Sequence, residues 1–386
     1  MTKVLGIAVV AGLATLPSFG EVEPSGISAA VAREVQSDAA NRSWLGDASV
    51  LGNEGFELNI EGDMQFRYTA NLGDNVDAGD DFEGGFSLPL TRLRFIGETN
   101  GFDFNIGAAF SESTGRASLE NAYVGHEFGT WRAQAGQFRL PFMREVNVDS
   151  RYQLAADRSA VSGIFGQGRS QGVMGVFDFG NFRFSTAFSD GFSTANTDYV
   201  DPMEADVSFT GRLDWTAIGE RNVFVDFTSD PSQNASLLLG AAGHYQDGDM
   251  GSLFTYTGDV SFEYNGWNAF GSGVGRNIED DDGNDWFDFG GVAQGGYRFS
   301  NNVELFARYD IVVPDDDRDI EDSYNFITTG VNYYYMGHAA RVTGDVVYSI
   351  DGTEGLDSMG DFSSTSLLAG QEEGTVALRL QFQLLF

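Results

Sequence analysis

Phe56-Glu57-Leu58-Asn59-Ile60-Glu61-Gly62-Asp63-Met64-Gln65-Phe66-Arg67-Tyr68-Thr69 decides the fold. Phe56, Leu58, Ile60, Met64, Phe66 and Tyr68 share one parity, and Glu57, Asn59, Glu61, Asp63, Gln65, Arg67 and Thr69 share the other. A period of two with charge on one side and aromatic rings on the other is a strand that separates an apolar from a polar medium. The same alternation returns in Phe102 to Phe110, Phe182 to Phe188, Val207 to Trp215, Phe287 to Phe299, Val303 to Tyr309, Ala340 to Tyr348 and Val376 to Phe386. Strands of roughly nine to twelve residues are long enough to cross a bilayer at a tilt. Between them, connections alternate. Tight turns fall at Thr99-Asn100-Gly101, Gly129-Thr130, Gly180-Asn181, Asn265-Gly266 and Asn301-Asn302, and long stretches, acidic in all but one case, at 70–85, 139–170, 190–205, 277–286, 311–323 and 349–374. Short turns at one rim and long loops at the other predict an all-β fold: a transmembrane antiparallel β-barrel of about 16 strands over residues 56–386, with 218–246 the least regular part. Soluble sandwiches and propellers also alternate, yet seldom sustain strands of this length.

The polar parity shows what faces inward. Arg67, Arg92, Arg94, Arg132, Arg183, Arg212, Arg298, Arg308, Arg341 and Arg379 all stand opposite the aromatic face. An arginine facing lipid at mid-depth costs ~2–4 kcal/mol, so this face is expected to line a wet lumen. Acids share it, including Glu61, Asp63, Asp103, Asp214, Asp288, Glu304, Asp310 and Asp345.

Outside the barrel, Lys3, the apolar stretch Val4 to Leu16 and Ser18-Phe19-Gly20 predict an export signal over residues 1–20. Residues 21–55 carry loosely helical alanine and valine spacing and are expected to form a periplasmic helix and linker. The terminal Phe386, on one face with Phe382 and Leu384, resembles the mark that outer-membrane barrels present to their assembly machinery. Together these place the chain in the outer membrane of a Gram-negative envelope, among outer-membrane lipid and lipopolysaccharide.

Composition removes several functions. The chain has no Cys among 386 residues, so disulfides and thiolate chemistry are excluded. A net charge of −35, from 57 acids against 22 bases, excludes nucleic acid as a partner. His126, His244 and His338 are scattered, with no metal or triad spacing. Gly271-Ser272-Gly273-Val274-Gly275 lacks the strand-then-helix context of a dinucleotide loop, and Phe289 stands where a calcium loop built around the 280–285 acidic run needs its terminal glutamate. No cofactor, metal or catalytic residue is expected.

One long connection is basic. Residues 139–170 hold Arg139, Arg144, Arg151, Arg158 and Arg169 against Glu145, Asp149 and Asp157. A loop of ~30 residues calls for a functional reading, and we expect it to fold into the lumen and narrow it with guanidinium groups. Its alternative is an outer lid paired with lipopolysaccharide.

Here a resemblance becomes specific. Gly136-Gln137-Phe138-Arg139-Leu140-Pro141-Phe142, Ser150-Arg151, Asp157-Arg158-Ser159, Phe165 and Arg169 with Gly172-Val173 resemble the signature stretch of the phosphate-selective porin O and P family. Arg92-Leu93-Arg94-Phe95 is similar to its arginine-bearing second strand. The resemblance implies a homotrimer of sixteen-stranded channels, an inward third loop and anion-binding arginines. Carried over, Arg92 and Arg94 project into the pore, Arg139, Arg144, Arg151, Arg158 and Arg169 lie on or beside the loop, and Arg132 joins them from the polar parity. Two positions depart from the family: Thr91 replaces an arginine that many members carry, and no lysine remains in the barrel. Phosphate selectivity therefore does not follow from membership. The expected function is passive diffusion of small anionic solutes through an arginine-lined constriction. A general or cation-preferring porin, an outer-membrane enzyme, and a non-conducting adhesin or structural barrel are the alternatives.

Overall fold

A computed structural model describes residues 51–53, 56–73, 82–249, 251–280, 283–318 and 320–386; the expected export signal and nearly all of the expected linker lie outside the described residues. Within the expected linker, Leu51–Asn53 forms a short strand, β1, which pairs with the start of β2 (Phe56–Leu72). The barrel continues through β3 (Phe82–Thr99), β4 (Phe102–Phe110), β5 (Ala117–Glu127), β6 (Trp131–Arg139), β7 (Arg169–Phe179), β8 (Phe182–Ser189) and β9 (Ala205–Ile218). It is completed by β10 (Ser236–Gly248), β11 (Gly251–Tyr264), β12 (Trp267–Glu279), β13 (Asp285–Arg298), β14 (Val303–Val313), β15 (Tyr324–Tyr334), β16 (Ala340–Ser349) and β17 (Val376–Leu385). Each strand from β2 on is antiparallel to its successor, and β17 returns to β2, closing sixteen strands into a barrel. At the seam Phe386 exchanges backbone hydrogen bonds with Gly62, and a Cβ on Gly62 would stand 2.4 Å from the Phe386 ring.

The alternation sorts side chains as expected. Phe66, Phe95, Ile106, Phe209, Leu305 and Leu380 are exposed on the outer surface, whereas Arg67, Arg92, Arg212, Arg308, Arg341 and Arg379 are buried inside. No helix among the described residues is long and apolar enough to cross a membrane. Asn100-Gly101 and Asn265-Gly266 take positive φ at both residues, which only such pairs adopt cheaply in two-residue hairpins. Pro89, which cannot donate to a ladder, sits where the β2–β3 register slips between Gln65 and Arg67.

Two features differ from the sequence reading. The connection between β9 and β10 lies on the rim of tight turns yet spans residues 219–235, and Phe224, Asp226, Phe227, Thr228 and Ser229 within it are buried. The interior is also not uniformly wet. Between the buried arginines, the inner faces of β12 to β17 carry Phe270, Val274, Val292, Phe306, Val312, Phe326, Val347 and Ala377, which form one apolar cluster with two inward-folded loops. The first loop is 140–168, with short helices α1 (Arg144–Asn147) and α2 (Ala160–Phe165); the second is 350–375. They meet where Ser364 donates to Ser159 O at 3.2 Å. Buried rings such as Phe142, Phe165 and Phe362 each contribute roughly 1.5–3 kcal/mol of hydrophobic stabilisation. The stronger outer aromatic pattern hid this inner one, because both share the period of two and the inner positions alternate with charges.

Candidate functional site

The basic loop enters the lumen because its stem peels off the wall. The β5–β6 ladder ends at Ala122 opposite Gln137, while β6–β7 pairing continues to Arg139 opposite Arg169. Gly136 permits the departure: its φ is +127°, and a Cβ there would meet Ala122 O at 2.1 Å. Beyond the stem, strands on several sides hold the loop's carbonyls. Arg212 donates to Phe142 O at 2.7 Å, Arg276 to Ile164 O at 2.9 Å, Arg341 to Gln153 O at 2.7 Å and Asn332 to Leu154 O at 2.8 Å. Arg67 donates to Ala156 O at 2.9 Å and Arg308 to Asp157 O at 2.8 Å. Inside the loop, Glu145, fully buried, accepts from Ser159 N at 2.8 Å, Ser159 Oγ at 2.6 Å and Ser162 Oγ at 2.7 Å. Such multiply held backbone is a fixed insert rather than a free lid.

The eight expected arginines divide into four environments. Arg92, Arg94 and Arg151 do not line open water: all three are buried, in one ion-pair network. Arg92 meets Asp63 at 2.5 Å, Asp149 at 2.6 Å and Glu120 at 3.2 Å. Arg94 meets Asp63 at 2.8 Å, Glu61 at 3.1 Å and Asp149 at 3.4 Å. Arg151 reaches Glu61 and Asp63, each at 3.2 Å. Register explains the wall's share, since Asp63 lies directly opposite Arg92 and Glu61 opposite Arg94. Arg92 and Arg94 face inward as expected, but carboxylates of the wall and of the loop pair with both of them. Burial opposes ionisation of Asp149, but Arg92, Arg151 and Arg94 outweigh it and hold its carboxyl well below the usual range. Asp157 is likewise lowered, burial being offset chiefly by Arg67.

A second group gathers at the mouth of the loop. Arg139 and Arg169 are opposite each other across the stem, and Arg158 reaches the same turn as Arg139. Arg139 donates to Asn147 O at 3.4 Å, while Arg158 donates to Val148 O at 2.7 Å, Val146 O at 3.3 Å and Ser150 Oγ at 3.0 Å. Arg169 meets Glu120 at 2.6 Å and donates to Asn121 Oδ1 at 2.9 Å. Among the described residues no carboxylate lies within ion-pair distance of Arg139 or Arg158, and both are partly exposed. Arg92, Arg94, Arg151 and Arg169 are matched by Glu61, Asp63, Glu120 and Asp149, four against four, which leaves Arg139 and Arg158 as the uncompensated charge.

The last two stand apart. Arg132 lies nearer the rim of tight turns, paired with Asp103 and 5.7 Å from the Tyr123 ring centroid. Arg144 points to the opposite side of the lumen, donating to Ser261 Oγ and to Phe224 O, each at 2.7 Å, between the rings of Phe224 and Phe227. It braces the loop against the 219–235 connection. Sequence reasoning missed Glu120, Asp149 and Asn147 as partners. Glu120 is the extra residue of a register slip in β5, and the loop's fold alone brings Asp149 to Arg92.

The family model of phosphate-selective porin O and P matches residues 58–349. No curated protein matches in sequence. Solved structures that share the fold include an anion-selective porin from Comamonas acidovorans, at 12% identity and a TM-score of 0.63, covering 86% of this chain and 100% of that one. OmpT of Vibrio cholerae, an outer-membrane protein with a trimer form, aligns at 9% identity and a TM-score of 0.60, covering 86% and 100%. The outer-membrane channel DcaP of Acinetobacter baumannii aligns at 12% and 0.60, covering 86% and 98%.

Proposed function

Since the chain belongs to the phosphate-selective porin O and P family and is an outer-membrane porin, we propose that it passes small anions by passive diffusion, with a weak to moderate preference set by Arg139 and Arg158. The observation that carries this reading is the pair of guanidinium groups without a carboxylate partner, Arg139 and Arg158, at the mouth of the inward loop. Fixed multidentate donors can replace part of an anion's hydration shell, and partial exposure leaves them within its reach. Phosphate selectivity is not part of the proposal, because Thr91 and the absence of lysine from the barrel remove donors that the family resemblance associates with it.

Around this channel the reading supplies its setting. Residues 1–20 serve as the export signal, 21–55 as a periplasmic helical and linker segment, and lipid with lipopolysaccharide as the surrounding phase. A homotrimer is the proposed assembly, supported by the trimer form of the fold relative from Vibrio cholerae. No catalytic step is required.

Reversal potentials in a salt gradient test the selectivity. The wild type should favour chloride over potassium, and Arg139→Gln with Arg158→Gln should shift the channel to neutrality or cation preference. Cation preference in the wild type at 1 M salt, unchanged by the double substitution, defeats the proposal. The acidic loops favour a cation-preferring reading, but whatever charge they hold farther than a Debye length of ~8 Å from the arginines is screened by salt. Anion preference should therefore grow as salt rises.

A further inference from the structure

Asp149 is held by three guanidinium groups at once. Arg92 and Arg94 reach from the β3 wall, and Arg151 from the loop, toward one carboxylate: Asp149 Oδ1 lies 2.6 Å from Arg92 Nη2 and 3.6 Å from Arg151 Nε, and Oδ2 lies 3.4 Å from Arg94 Nη1. Three convergent guanidinium groups form an oxyanion cradle, with two oxygens received by donors on different arms. The remaining carboxylates of the network belong to strands: Glu61 and Asp63 to β2 and Glu120 to β5. Asp149 alone is brought by the loop, and its side chain, at 20%, is the most exposed of the four carboxylates. Arg94 Nε is buried with no hydrogen-bond partner among the described residues, so the cradle has donor capacity to spare.

We propose that Asp149 is a tethered competitor for small oxyanions, filling the cradle of Arg92, Arg94 and Arg151 and thereby keeping this channel weakly selective and fast instead of saturable. The inference rests on the channel reading above and deepens it: it names a second, self-occupied anion site behind the open cluster of Arg139 and Arg158. Removing the Asp149 charge frees N–H donors on both wall arginines and raises the local excess from two positive charges to three. Asp149 also caps the short turn Ser150–Tyr152 by accepting from Arg151 N at 3.2 Å, a role that Asn and Ser side chains also perform. Asp149→Asn and Asp149→Ser therefore remove the charge and keep the cap.

Single channels of the full exported chain in planar bilayers, carrying chloride current, decide the matter with inorganic phosphate as the probe. Half-block by phosphate should require a concentration lower by roughly tenfold or more in both variants than in the wild type, with the reversal potential moving further toward anions. Acetate, offering one carboxylate and less charge, should block the variants at higher concentration than phosphate. An unchanged half-blocking concentration in both variants overturns the proposal. So does failure of both variants to assemble, which assigns Asp149 to folding alone. A wild type that inserts yet carries no current ends the channel reading and this inference with it, whereas a conducting wild type whose variants respond like it ends this inference alone.

Discussion

At the scale of the residue, Asp63 shows how much of the constriction is electrostatic scaffolding. Its side chain is wholly buried and serves Arg92, Arg94 and Arg151 together. Deleting one partner of such a network strands charge in a dry site, which costs about 3–5 kcal/mol. Arg92→Ala should lower the unfolding free energy by that order, because Asp63, Asp149 and Glu120 lose their common cation. Arg139→Gln, which leaves no carboxylate unpaired, should change it little. Urea unfolding of the refolded barrel, followed by the heat-dependent shift in its electrophoretic migration, measures both; equal losses refute the division of the arginines. The sequence made the arginines legible as a set facing inward, since parity depends only on neighbours along one strand. Which of them were neutralised was not legible, because that depends on register across strands. The slips at Gln65–Arg67 and beside Glu120 change which acid meets which base.

At the scale of the element, strands and turns were readable where a local rule acts, as at Asn100-Gly101 and Asn265-Gly266. The connection at 219–235 was not. Val223, Phe224 and Val225 follow one another without a period, so no strand or turn rule marks the segment, which is an inward tongue. Among the contacts that hold it are Asp226 with His338 at 2.9 Å, Thr228 Oγ1 with Tyr334 Oη at 2.9 Å, and Phe224 O accepting from Arg144. The tongue thus ties the basic loop to the turn after β15. Asp226→Ala should release it, with single-channel conductance rising and thermal stability falling by about 1–3 kcal/mol. Bilayer recordings and a melting curve read the two effects. Conductance equal to that of the wild type means that the tongue lies out of the ion path.

For the whole molecule, the −35 charge and the arginine-rich interior are reconciled by position: acids crowd the long loops while the interior network is nearly balanced. Long loops on one rim and mostly tight turns on the other predict that 314–323 and 350–375 face the exterior. Of these, 350–375 is anchored in the lumen by Leu356, Met359, Phe362 and Leu367. Protease added to intact cells should therefore cut in 314–323, leaving the 265–266 turn intact; cleavage at that turn reverses the orientation. The sheet's closure followed from strand length and alternation alone, whereas the dry half of the interior was unreadable because it is made by loops returning over hundreds of residues. That dry half also has an evolutionary consequence. Positions on β12 to β17 answer to lipid outside and to a close-packed core inside, so most replacements there carry a stability penalty. The inner faces of β4 to β7, with Asn105, Asn121, Tyr123 and Met174 only partly covered, are less constrained. A lineage can alter what it admits on that side while the opposite half preserves the fold, so new solute preferences can arise by few substitutions and without loss of assembly.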